Sequence, residues 1–213
     1  MIKVRAVFEK CGRAKYISHL DLNRCMQRCF KRSGIPIWYT EGFNPHIYIT
    51  FALPLSLGYE SRVEIMDFNI TEDEDLEAVM DKLNAAMPEG IKVLKVYFPK
   101  TKHTLIKYAD FKIIFLGNVM DEMSDFIENG NMTTVKKTKR GEKEIDLREY
   151  VKLVECDNDS GNTAVTLRLP AGNDLNINPS LVTDLFIGQC GKETEILSVE
   201  RTAILDGEEK VFE

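Results

Sequence analysis

Residues 15–52, KYISHLDLNRCMQRCFKRSGIPIWYTEGFNPHIYITFA, decide how the rest of the chain is read. Ser18 followed three residues later by Asp21 is a capping box, in which the serine oxygen takes an orphan backbone N–H and the carboxylate reaches back to the cap. A helix is therefore predicted to start at Ser18. Leu22, Cys25, Met26 and Cys29 recur at three- and four-residue intervals as an apolar stripe, and Gly34 supplies the left-handed residue that ends the helix. Arg24, Arg28 and then Lys31 or Arg32 make a cationic row on another face. His19 opens a neighbouring row through Asn23 and Gln27. Beyond Pro36, the aromatics Trp38, Tyr39 and Phe43 come with Asn44 and His46 around a turn-forming segment. Such rings are costly to leave in water unless they pack or bind, and both readings stand for Trp38 and Phe43.

Working outward, Ile2, Val4, Ala6 and Phe8 alternate with Lys3, Arg5, Val7 and Glu9, which predicts a half-buried strand before the helix. Strands are expected at 47–51 and 62–70, a helix over 72–87 burying Leu76, Val79, Met80, Leu83 and Met87, and a strand over 91–98. The order β-α-β-β-α-β is the split βαβ or ferredoxin-like pattern. Residues 99–107, PKTKHTLIK, read as a junction. The pattern then recurs: a strand at 111–116, a short helix at 121–128, a long hairpin over 133–155, a strand at 165–169, a helix capped by Asn178 with Pro179 in its first turn, and a strand over 195–205. The expected architecture is α+β: two tandem ferredoxin-like units with antiparallel sheets, spanning 1–98 and 108–213. A single domain with one extended sheet is the rival.

The 213 residues and 44% hydrophobic content suit a globular core. No apolar run approaches the roughly 20 residues needed to span a bilayer, and the opening MIKVRAVFEK reads as a strand rather than a signal peptide. Five irregularly spaced cysteines suit a reducing compartment, so a cytoplasmic location and no membrane association are expected. The net charge of −6 is unevenly spread: residues 1–50 hold nine Lys/Arg against three acids, a charge of +6, leaving −12 on the remainder. A basic N-terminal part on an acidic chain points to an anionic ligand, the alternative being a solvated basic helix.

The stretch KYISHLDLNRCMQRCFKRSGIPIWYTEGFNPHIYITFALPLSLGYES resembles the opening of the radical SAM-linked protein family, DUF2344, and the likeness continues through MPEGIKV and KRGEKEIDLREYV. The resemblance implies an accessory domain that works beside a cobalamin-type radical SAM protein. A radical SAM cluster needs thiolates at C-x3-C-x2-C, and although Cys25 and Cys29 have the first spacing, Arg32 stands at the third position. The cluster thus belongs to the expected partner, and no cofactor or metal is expected here. A zinc site from His19, His46 and Asp21 or Cys11 lacks any short-range ligand pair.

Three functional readings follow. In the first, Arg24, Arg28, Lys31 and Arg32 neutralise RNA phosphates while Trp38, Tyr39 or Phe43 stacks a base, with Asn44 and His46 beside them. In the second, His19 or His46 is the general acid/base of a metal-independent endoribonuclease. In the third, the protein docks on the radical SAM partner and presents its substrate, either tRNA or rRNA or a protein. A second basic segment, Lys136, Lys137, Lys139 and Arg140, lies on the predicted hairpin, where it extends the anionic footprint or keeps an edge strand soluble.

Overall fold

Ser18 caps the first helix as its sequence dictates. In the computed structural model, which describes residues 1–138 and 141–213 and only the backbone at 135–138 and 141–143, the Ser18 oxygen accepts from the Asp21 N–H at 3.2 Å. The Ser18 hydroxyl donates to Asp21 Oδ2 at 2.8 Å, and helix α1 (His19–Ser33) ends on Gly34 at φ +70°. Ser18→Ala should cost about 1 kcal/mol in urea unfolding, and Ser18→Asp should restore most of it.

The chain divides into two compact units, Met1–Leu105 with Glu213, and Ile106–Phe212. In the first, β1 (Ile2–Lys10), α1, β2 (Ile49–Phe51), β3 (Glu60–Ile70), α2 (Leu76–Ala86) and β4 (Ile91–Tyr97) follow in sequence. The strands lie β4-β1-β3, with β2 also on β3, and all these pairings are antiparallel. Alternation puts Val4, Ala6 and Phe8 of β1, with Met66, Phe68 and Ile70 of β3, on one face. There they bury Leu22, Met26 and Phe30 of α1 and Val79 and Leu83 of α2. Lys3 and Arg5, in register with Asn69 and Asp67, therefore lie on the face away from the helices. Gly90 is required between α2 and β4: it takes φ +84°, and a Cβ there would sit 2.5 Å from the Cys11 carbonyl oxygen.

The second unit runs β5 (Tyr108–Phe115), α3 (Met120–Asn129), β6 (Thr133–Thr138), β7 (Gly141–Asp146), β8 (Lys152–Asp159), β9 (Asn162–Pro170), α4 (Pro179–Gln189) and β10 (Ile196–Leu205). Its sheet is antiparallel, ordered β10-β5-β9-β8. Asn178 caps α4 through the Ser180 N–H, with Pro179 at the start. Phe186 of α4 packs edge-on against Phe115 of β5 and Phe126 of α3, at centroid separations of 5.1 and 5.6 Å.

The long hairpin expected over 133–155 is corrected. β6 and β7 pair only with each other and end at Asp146. Leu147, fully buried, then turns the chain by accepting from the N–H groups of Tyr150 and Val151, and β8 joins β9 in the main sheet. The architecture is thus mixed α+β with antiparallel sheets. No described helix is long and apolar enough to cross a membrane.

Candidate functional site

On the face of the first unit away from its helices, Asp67 is the centre of a charge cluster. Arg5 Nε reaches Asp67 Oδ1 at 2.7 Å and Nη2 reaches Oδ2 at 3.1 Å, a two-pronged pairing of fully buried side chains. Lys3 Nζ lies 2.8 Å and His103 Nε2 3.0 Å from the same Oδ2. Burial works to raise the Asp67 pKa, but the bonds from His103, Arg5 and Lys3 more than offset it and hold the carboxyl far below the usual carboxylate range. A small niche of 140 Å³ opens over this cluster, walled by Lys3, Tyr48, Thr50, Lys102 and His103.

Beside it lies a shallow groove of 540 Å³ lined by Trp38, Thr40, Glu41, Tyr48, Asn69 and Lys3. Niche and groove share Lys3 and Tyr48. Trp38 is placed by backbone pairing: Ile37 bridges to Ile70, and the Trp38 N–H donates to the Asn69 carbonyl at 2.8 Å. Ile37 turns into the core, so its neighbour Trp38 turns to the opposite face. Likewise Ile47, Ile49 and Phe51 pack inward while Tyr48 and Thr50 face the niche. The Trp38 and Tyr48 rings meet edge to face at 6.2 Å.

The structure separates the residues that the sequence grouped. Arg24, Arg28 and Arg32 line a concavity of their own on α1, with Asp21 and Cys25, and none of these residues lines the Trp38 groove. Because α1 covers the other face of the sheet, the helix cations and Trp38 occupy opposite sides. Arg24 pairs with Asp21 at 3.0 Å, both exposed, and the Ser18 hydroxyl and then Arg24 lower the Asp21 pKa. Arg32 Nη2 donates to the Ala86 carbonyl at 2.8 Å, capping the C-terminal end of α2. Arg28 and Lys31 are exposed and have no ion pair among the described residues. The +6 charge of residues 1–50 is thus not one surface: Arg5 and Lys10 are buried, and Lys3, Lys15 and Arg24 are paired with acids.

His19 and His46 have separate surroundings. His19 stacks edge-on against Phe51 at 5.2 Å. His46 Nδ1 lies 3.1 Å from the Asn44 carbonyl oxygen and 3.0 Å from Thr40 Oγ1, while the Thr40 N–H donates to the His46 carbonyl at 2.8 Å, so His46 pins the loop. Phe43 stands fully exposed at the loop tip, and Tyr39, also exposed, bridges to Ile47. Tyr39, Phe43 and Asn44 do not line the groove. Cys29 is a buried core residue, its thiol pushed up to about 11 by burial and then by Cys25. Among the described residues no three His, Cys, Asp or Glu side chains are placed to share a metal ion. Lys139 and Arg140 lie outside the described residues, as do the side chains of Lys136 and Lys137.

Sequence reasoning missed Lys3, Tyr48, Asp67, Asn69, Lys102 and His103. Two had a signal, since Lys3 and Tyr48 are the polar members of alternating strand segments. Asp67 and His103 had none, being 36 residues apart and joined only by the fold.

A family model described as an uncharacterized protein conserved in bacteria, DUF2344, matches residues 3–179, most of the 213-residue chain. The chain belongs to the DUF2344 family. No curated protein matches it. The DUF2344 match takes in every residue of the niche and the groove apart from Met1 at the groove's rim.

This DUF2344 chain has another concavity in its second unit, of 440 Å³, with Tyr108, Tyr150, Pro170 and Leu175 among its walls. Arg168 there holds Asp110 in two bonds of 2.7 and 2.8 Å and also pairs with Glu209, which Lys152 holds at 2.8 Å. Lys107 pairs with Asp174. Asp110 and Arg168 face each other across β5 and β9 as Arg5 and Asp67 do across β1 and β3, with acid and base exchanged. The bond to Asp110, more than burial opposes it, raises the Arg168 pKa further. Five of the six charged residues lining this concavity, Lys107, Lys152, Arg168, Asp174 and Glu209, are therefore paired with opposite charges, whereas Asp67 is the one acid among the described residues lining the niche.

Proposed function

We propose that this protein is a non-catalytic, RNA-binding accessory protein of a cobalamin-type radical SAM enzyme, and that it binds single-stranded RNA on the open face of its first unit. The observation that carries the reading is one groove in which Trp38 and Tyr48 meet beside Lys3 and Asn69. Ring faces stack bases without regard to sequence, an adjoining ammonium neutralises a phosphate, and an amide such as Asn69 offers a donor and an acceptor to a base edge. The radical SAM partner is what the likeness of residues 15–61 implies, with tRNA or rRNA as the presented substrate.

The strand orders support reading both units as ferredoxin-like. Each has the order fourth-first-third-second, if β6 and β7 are taken as an insertion in the second unit. Open sheet faces of that kind serve as RNA platforms elsewhere, a fold-level analogy that supports the reading. Catalysis by His19 and His46 is disfavoured by their partners, since one ring is packed on Phe51 and the other is bound into its own loop.

Fluorescence anisotropy with a short labelled single-stranded RNA at two salt concentrations tests the reading. Affinity should fall with salt, and Lys3→Ala should reduce the logarithmic slope by about 0.7, the release expected for one phosphate of a single strand. Arg28→Ala should leave both unchanged. A slope that responds to Arg28→Ala and not to Lys3→Ala would move the interface to α1, and salt-independent or undetectable binding would favour a protein substrate.

A further inference from the structure

The niche beside the aromatic groove differs from an ordinary RNA-tracking surface in being small and unbalanced in charge. Its floor is Asp67, whose single negative charge is already matched by the buried guanidinium of Arg5. Lys3 and Lys102 are then in excess, on a protein whose net charge is −6. Lys3 is half exposed and uses one of its three N–H bonds on Asp67. Lys102 is exposed and has no ion pair among the described residues. Tyr48, Thr50 and Thr104 complete the wall. The volume of 140 Å³ equals about four or five waters at their share of liquid volume, enough for a tetrahedral anion. The much larger groove, with Trp38, adjoins it through Lys3 and Tyr48.

We infer that the niche binds a terminal phosphate monoester of a nucleotide whose base stacks in the Trp38 groove, so that the protein recognises an RNA end or a free mononucleotide rather than the middle of a strand. This rests on the RNA-binding reading and names its ligand. Two excess ammonium groups match a phosphate monoester, which carries between one and a half and two negative charges at neutral pH, better than the single charge of an internal diester.

Competition anisotropy on the full chain distinguishes the sources. The competitors are one oligoribonucleotide carrying a 5′-phosphate, a 3′-phosphate or hydroxyls at both ends, together with adenosine 5′-monophosphate and adenosine. One phosphorylated end should compete about tenfold more tightly than the hydroxyl form, and Lys102→Ala, which lies outside the groove, should erase most of that preference while leaving the hydroxyl form's affinity within about twofold. If the monophosphate surpasses adenosine as strongly as the phosphorylated RNA surpasses its hydroxyl form, the ligand is a free nucleotide as readily as an RNA end. Equal competition by all ends overturns the terminal-phosphate site and leaves the RNA groove standing. Absence of binding by any of these RNAs overturns both.

Discussion

Replacing Asp67 with asparagine should destabilise the protein by about 3–5 kcal/mol, the cost of breaking a buried pair by removing one partner. The amide leaves Arg5, fully buried, without its counter-charge, and removes the acceptor shared by Lys3 and His103. Urea unfolding followed by circular dichroism reads the loss. Lys3→Ala, which removes a half-exposed partner, should cost under about 1 kcal/mol, so the two variants separate the buried contact from the exposed one. The acid limb carries the same signature. Asp67 has a depressed pKa in the folded state, so its contribution is complete above the unfolded value of about 4 and is lost as pH falls further toward the folded one. The wild type should lose stability below about pH 4 more steeply than Asp67→Asn does. Equal acid slopes would remove Asp67 from this role.

Trp38→Ala should weaken RNA binding by about 1–3 kcal/mol, or roughly fivefold to 150-fold, the range measured for one base–aromatic stack. Trp38→Phe keeps a ring and should retain most of the affinity. Phe43→Ala, though it deletes the most exposed aromatic of the same loop, should change little, because Phe43 does not line the groove. Retained affinity in Trp38→Ala together with loss in Phe43→Ala would place base stacking at the loop tip.

Much of the fold was legible because its signals are local. Ser18 and Gly34 bound α1, Asn178 and Pro179 start α4, and the alternation from Ile2 to Phe8 announces β1. β8 escaped because it is an edge strand with most of its side chains exposed, so no alternation marks where the hairpin stops and a new strand begins. For the candidate site, composition singled out the loop of Trp38 and grouped it with the α1 cations, which the structure places apart. Trp38 and the α1 cations are neighbours in sequence, yet the sheet lies between them, since Ile35 and Ile37 turn inward and send Trp38 the other way. Arg5 carried the opposite error. At an alternating polar position it reads as a solvated cation, and its pairing with Asp67 across the strands, with a bond to the Thr101 carbonyl, explains its complete burial.

Trp38 is the only tryptophan in the chain, so its emission reports on the groove directly. The decisive measurement is intrinsic fluorescence of the wild-type protein titrated with unlabelled single-stranded RNA, run beside anisotropy of the same RNA. If the groove is the binding surface, Trp38 emission should quench and saturate at the RNA concentration where anisotropy saturates. Saturating anisotropy with unchanged emission would mean that RNA binds elsewhere on the protein, and would contradict the account.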